Sequence, residues 1–324
     1  MRVGPIAFIV AALVGLVAPA RAQVWPTRPV TMVVPFAAGG AFDVLGRVLA
    51  QRMAEILGQP VIVENVSGAG GVVGAVRVAR GPADGSQFIL GDSSFAHNQS
   101  LYKNPPFNAA ADFAPVALIA EQPTVLVVRK EMPVNNLGEF IAFAKANQAK
   151  MQYGSAGTGS PNQLACLLLN VRIGVDVTHI PYRGGGPLMQ DIVGGRLDYA
   201  CPIAATALAT IMTGQARPIA ILTRNRSPAF PDLPSAHEQG LTDFEAGAWN
   251  ALFLPKQTPE AIVTRLHDAA AAALDTPTVA SRIAELGAIA VGPDRRSADY
   301  LRQFLVQEID KWSVPIKAAH VSLD

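Results

Sequence analysis

At 324 residues the chain is longer than one hydrophobic core usually organises, and with charged residues at only 16% against the usual ~25% most of it must be packed interior, so two domains are expected. The formal net charge is +1, and loss of a leader carrying Arg2 and Arg21 would leave 24 basic against 25 acidic residues. That balance gives no electrostatic reason for a nucleic-acid or anionic-membrane partner.

The chain opens with Arg2, an apolar run from Ile6 to Ala18 and then "APARA", whose small residues Ala20 and Ala22 fit a signal-peptidase site. Cleavage after Ala22 is expected. The run is too short to span a membrane, which takes about 20 apolar residues, and no later segment is long enough. The mature chain is therefore expected to be soluble and exported.

From there short apolar runs alternate with amphipathic stretches. The order is strand "VTMVVPF", helix 42–57, strand "VIVENV", helix 70–80 and strand "FILGD". This is the βαβ rhythm of a mainly parallel sheet. After "DFAPVALIAEQPTVLVVRK" the rhythm restarts with helix 137–147, strand "MQYGS", helix 161–172, strand "VTHIPY", helix 187–195, strand "LDYACPI" and strand "RPIAIL". Proline-rich "RSPAFPDLPSAHEQGL" leads to a second long apolar run, "FEAGAWNALFLPK", and then to helices near 259–274, 277–286 and 297–318. The two long runs, 116–129 and 244–255, bracket the second α/β unit, so they are expected to pair as crossover strands forming a hinge, with Trp249 in the hinge core. The domain division expected is 1–22 leader, 23–123 plus 249–324 for the first domain and 124–248 for the second.

Glycine turns recur after strands: "PFAAGGAFD", "NVSGAGGVVG", "GSAGTGSPNQ" and "PYRGGGP". Helix N-termini at the carboxyl ends of strands offer unpaired amides to an anion, although a tight turn alone explains each loop equally well. No loop has the lysine and hydroxyl of a phosphate-binding P-loop. The glycines at 68, 70, 71 and 74 miss the dinucleotide spacing, and Glu64 would crowd a pyrophosphate.

No nucleophile elbow occurs, and the histidines at 97, 179, 237, 267 and 320 form no metal motif, so no cofactor or metal is expected. A catalytic triad assembled only in space stays open. His179, in an apolar strand, reads as a hydrogen-bonded core residue, whereas His97 follows a strand end and Ser93–Ser94 and stays ambiguous. Cys166 and Cys201 are expected as buried free thiols.

With these residues in view, the chain resembles the extracytoplasmic solute-binding proteins of tripartite tricarboxylate transporters, the Bug-type receptors. The resemblance rests on "WPTRPVTMVVPFAAGGAFDVLGRVLAQRM", "GQPVIVENVSGAGGVVGAVRVARGPADG", "SLYKNPPFNAAADFAPVALIA", "YGSAGTGS", "VTHIPYRGGGP" and "RNRSPAFPDLPSAHEQGL", in order along the mature chain. It implies an α/β, two-domain periplasmic-binding-protein clamshell with two crossover strands. It also implies no catalysis, a small organic carboxylate held between the lobes, and delivery to integral membrane transporter subunits by a monomeric receptor. An exported hydrolase, or a carboxylate sensor on the same fold, is the alternative.

The opposed loops that match the family's carboxylate grip are 35–43 and 154–163, which would act through backbone amides. The site residues implied are Phe36, Ala37, Ala38, Gly39, Gly40 and Asp43; Ser93 and Ser94; Ser155, Gly157, Thr158, Gly159, Ser160 and Gln163; and Tyr182 and Pro202. Asp43 fits ligand contact and helix-dipole compensation equally. Pro202 replaces an acid, Gln163 a histidine, and Phe95 stands in a loop usually more polar. These departures favour an uncharged or aromatic body on the carboxylate over an amino acid.

Overall fold

The computed structural model describes residues 25–318 and 322; the expected leader, its cleavage site and His320 lie outside them. Two sheets form from two copies of one local pattern. In the first copy β1 (Val30–Val34) leads into α1 (Ala41–Leu57), β2 (Val61–Asn65), a 3-10 turn at Ala69–Gly71, α2 (Val72–Ala79), β3 (Gln87–Asp92) and α3 (Ser94–Leu101). β1 pairs in parallel with β2 on one side and β3 on the other. In the second copy β6 (Gln152–Ser155), α5 (Pro161–Ile173), β7 (Thr178–Pro181), α6 (Gly185–Val193), β8 (Tyr199–Ala200) and α7 (Ala204–Met212) repeat the arrangement. There β6 is flanked in parallel by β7 and β8. A central strand whose neighbours leave in opposite directions opens a crevice at its carboxyl end. Here two such crevices face one another.

Local chemistry explains the elements. The β-branched run "VTMVV" of β1 buries four of its five residues. α1 lays Leu45, Leu49 and Met53 onto that sheet and stops at Gly58, which takes the left-handed φ of 73° that a side chain resists. The Ser160 hydroxyl caps α5, Pro161 supplies a preset first turn, and Gly174 at φ 70° ends it.

The remaining strands are antiparallel. β4 (Phe113–Gln122) and β10 (Ala248–Pro255) pair along their lengths inside the first sheet, whose order is β11-β4-β10-β3-β1-β2, with β11 at Ile289–Ala290. β5 (Val125–Arg129) and β9 (Ala216–Ile221) pair in the second, whose order is β7-β6-β8-β5-β9. Helices α4 (Leu137–Asn147), α8 (Glu260–Leu274), α9 (Pro277–Glu285) and α10 (Ala298–Ala318) cover the outer faces. All eight residues of β10 are buried, Trp249 among them, its indole N–H donating to Glu308 at 3.0 Å.

Four readings change. The run 112–130 divides at Pro123–Thr124 into β4 and β5, one in each sheet, because the chain must turn there to leave the first sheet for the second. The 244–255 run becomes strand only from Ala248; before it, the Ala246 N–H bonds Leu222 and the Ala246 carbonyl accepts from Thr124 Oγ1 at 2.7 Å. The expected strand "LDYACPI" shrinks to Tyr199–Ala200, since Pro202 has no N–H and α7 begins at Ala204. Ser94–Leu101 is a helix, and it turns Phe95 into an aromatic cluster, stacked on Phe253 at 4.8 Å and tilted against Phe113 at 4.9 Å. Phe95 is therefore core and supplies no aromatic wall to the cleft.

The cysteines also differ from expectation. Cys166 and Cys201 are joined in a disulfide, with Cα atoms 5.4 Å apart across a sequence separation of 35. Sequence distance hid this proximity. β8 lies beside β6, so the helix that follows β6 passes over the end of β8 and brings the two Cβ atoms within bridging range.

Candidate functional site

Six strand-to-helix turns converge where the two sheets meet, those leading into α1, α2 and α3 from the first lobe and into α5, α6 and α7 from the second. The lobes touch closely, in part through backbone. Ala41 N–H donates to Thr206 Oγ1 at 3.2 Å, and a Cβ built on Gly184 would lie 3.1 Å from Ala37 Cβ. A Cβ on Gly70 would lie 2.1 Å from the Thr158 carbonyl oxygen. Between these contacts lies a cavity of about 350 Å³, lined by Phe36, the loop 67–71, Ala156, Tyr182 and Arg183. Arg183 makes no ion pair with any described residue and is the cation at this cavity.

Asp43 is buried and fully engaged. Its Oδ2 accepts from Gly39 N–H at 2.9 Å and from Arg47 Nε at 3.1 Å, and its Oδ1 accepts from Asn65 Nδ2 at 2.9 Å. Burial raises its pKa, but the bonds from Arg47, Gly39 and Asn65 outweigh that and hold it below the usual carboxylate value. Asn65 Nδ2 also donates to the Phe36 carbonyl, so this network fixes the shape of the 36–43 turn. Asp43 shapes the loop and presents no free oxygen.

The second loop is held by a directed chain. Gly159 N–H donates to Gln163 Oε1 at 2.6 Å, which leaves the Gln163 amide nitrogen facing His179 Nδ1 at 3.3 Å. The imidazole proton therefore belongs on Nε2, from which it is donated to Ser155 Oγ at 2.7 Å, and the Ser155 hydroxyl passes its own hydrogen to the Gly157 carbonyl at 3.0 Å. Burial lowers the His179 pKa to about 4 and keeps the ring neutral. A nucleophilic serine must give its proton to histidine, and here the direction is reversed. His179 is thus the hydrogen-bonded structural residue expected, and Gln163 stiffens the loop.

The histidine makes a pH prediction. Its folded pKa lies below the unfolded value of 6.5, so the folded state binds fewer protons between pH 6.5 and about 4. Its contribution to stability is complete above 6.5 and is lost as pH falls toward 4. Thermal melts across that window should fall less steeply for His179→Gln than for wild type; parallel slopes would contradict the buried neutral ring.

Of the other expected site residues, Phe36 and Tyr182 line the cavity, the Tyr182 hydroxyl donating to Asp191 at 2.6 Å. Ala37 and Gly40 lie at the lobe contact near Gly184 and Gly185, whereas Ala38 and Gly39 are exposed. Ser94 Oγ lies 3.4 Å from where a Cβ on Gly71 would sit, and Ser93 is buried with its hydroxyl unpartnered. Gly157 and Thr158 meet Gly70; Ser160 caps α5; the Pro202 carbonyl accepts from Val125 N–H.

Among the amides of the two loops, those of Gly39, Gly157, Gly159 and Ser160 are spent internally, and those of Ala37, Ala38 and Thr158 have no acceptor among the described residues. The loop 67–71, Ala156 and Arg183 were absent from the expected set. "SGAGG" was visible as a glycine turn, but nothing in sequence placed it opposite 157–160. Among the described residues no cluster of His, Cys, Asp and Glu is arranged to hold a metal.

Residues 45–321 match the model of the tripartite tricarboxylate transporter family receptor. The chain is 34% identical to BugT of Bordetella pertussis over 314 residues, covering 96% of this chain and 95% of that protein. The structure of MatC from Rhodopseudomonas palustris with bound malate superposes with a TM-score of 0.87 at 38% identity, covering 90% of this chain and 100% of that one. A second R. palustris structure, with adipate, gives 0.87 at 33% identity, covering 92% and 99%. These matches extend over both lobes, so the fold is the two-domain periplasmic-binding-protein clamshell, and the related proteins are binding receptors, not enzymes. The chain belongs to the tripartite tricarboxylate transporter receptor family.

Proposed function

We propose that this chain captures a small organic carboxylate between its lobes in the periplasm and delivers it, as a monomer, to the integral membrane subunits of a tripartite tricarboxylate transporter. The observation that carries the reading is the cavity itself: strand-to-helix turns of both lobes meet around it, with free amides at Ala37, Ala38 and Thr158 nearby and Arg183 at its wall. Helix N-termini attract negative charge, and a lone guanidinium adds to that field. The sixteen residues from Phe36 to Pro202 named above form the proposed binding region, extended by loop 67–71, Ala156 and Arg183. The lobes are taken as 23–123 with 249–324, and 124–248, after removal of the leader at Ala22.

Relatives solved with malate and adipate support a dicarboxylate. Burial of Phe95 in the core removes one reason to expect an aromatic body. The test is a thermal-shift and calorimetric screen of the purified protein against mono-, di- and tricarboxylates. A ligand at 100 times its dissociation constant should stabilise by about 2.7 kcal/mol. Solution scattering should show compaction on binding, and a screen in which no carboxylate shifts the melt would defeat the proposal.

A further inference from the structure

Asp92 ends β3, the strand beside β1 at the centre of the first sheet. Side chains alternate along a strand, and Phe88 and Leu90 belong to the core on the α1 face, so Asp92 stands on that face too. At the carboxyl end of the same face the second lobe packs in, contributing Ala156 and Ile203 to that core. The Asp92 carboxyl is buried. Oδ1 accepts from Ser94 N–H at 2.7 Å, while Oδ2 has no partner. Its neighbour across the ladder, Asn250, makes no bond to it: Asn250 Oδ1 accepts from Gln122, and Nδ2 donates to the Gly91 carbonyl at 3.2 Å. Among the described residues no lysine or arginine pairs with Asp92 either. Through Ser94 the carboxyl is one residue from Gly71 and Phe36, which line the cavity.

A buried carboxyl oxygen without a donor is costly, and native interiors seldom keep one. In a site meant for carboxylates a second acid also repels the solute, unless the solute offers it a hydrogen. We propose that Asp92 is a specificity-determining residue whose free oxygen accepts a hydrogen bond from a hydroxyl or ammonium beside the solute's carboxylate, so that the receptor selects donor-bearing carboxylates over unsubstituted ones. Burial raises the Asp92 pKa to about 7 against the bonds from Ser94, as expected of a carboxyl still awaiting its donor. Ser93, also buried with its hydroxyl unpartnered, stands beside it as a second group a substituted solute would satisfy. This inference rests on the carboxylate-receptor reading.

The test is calorimetry on the purified full chain with matched series: succinate, malate and aspartate; adipate, 2-hydroxyadipate and 2-aminoadipate. In at least one series a substituted member should bind about tenfold or more tightly than its parent, a hydroxy winner identifying a hydroxyl donor and an amino winner an ammonium. Asp92→Ala should shrink that gap to about threefold or less, with the parent binding at least as tightly as it does to wild type because the repelling acid is gone. A gap that survives in Asp92→Ala overturns the assignment. If that variant does not fold, the wild type decides alone: equal affinity across both series overturns it while leaving the receptor reading intact. If no carboxylate binds, the receptor reading fails and the assignment with it.

Discussion

Gly70→Ala is expected to leave both lobes folded and to weaken solute capture by about a hundredfold or more. Gly70 sits at φ 59° and ψ 28°, a left-handed conformation that costs an alanine about 1 kcal/mol. The larger effect is steric. A Cβ there would lie 2.1 Å from the Thr158 carbonyl oxygen, 2.7 Å from Ser160 N and 2.9 Å from the Gly159 carbonyl carbon. All three are backbone atoms of the facing lobe, held by the Ser155–His179–Gln163 chain and the Ser160 cap, so none can swing aside as a side chain would.

The lobes must instead part. Affinity falls with the fraction of closed, binding-competent protein, and each 1.4 kcal/mol against closure is tenfold. Gly58→Ala and Gly174→Ala are the controls. Both glycines have positive φ, 73° and 70°, but a Cβ on either meets nothing within 4 Å. These variants should melt earlier yet bind normally. Calorimetry and scattering on the three variants check the claim; a Gly70→Ala protein that binds and compacts like wild type would sink it.

Removing the disulfide should have the largest effect on stability. The bridge closes a loop of 35 residues that contains the rest of α5, β7, α6 and all of β8. On the chain-entropy model such a closure contributes roughly 3–4 kcal/mol by restricting the unfolded chain. Cys166→Ala with Cys201→Ala should lower the denaturation midpoint by a corresponding amount, with the loss in the second lobe. Binding should weaken less than in Gly70→Ala, because Ser155, Gln163 and Ser160 keep their own bonds. Alkylation of the unreduced protein followed by mass spectrometry should find no modified thiol. Two modified thiols would show that the bridge does not form.

Much of the architecture follows from local rules that read directly off the chain. Periodicity and caps fix the extents of α1, α4, α5, α8 and α10 to within a residue or two, because apolar spacing, Ser160–Pro161 and the terminal glycines act within one turn. The two long apolar runs point to a paired crossover because only strands buried on both faces stay apolar throughout. The motifs, taken in order, carry the family.

What the sequence leaves undetermined is whatever depends on one element meeting another, within a lobe or across the two. Gly39 and Gly70 look alike as letters in glycine turns, but a side chain on the first meets open space and on the second a facing backbone. Asp43 suits ligand or helix equally until Gly39, Arg47 and Asn65 are seen to occupy it. Phe95 points into an aromatic core because α3 forms where a loop was expected. Cys166 and Cys201 meet because β8 inserts beside β6. In each case at least one deciding partner lies on another element, and strand order, helix placement and closure of the lobes, which no local pattern encodes, bring it into contact.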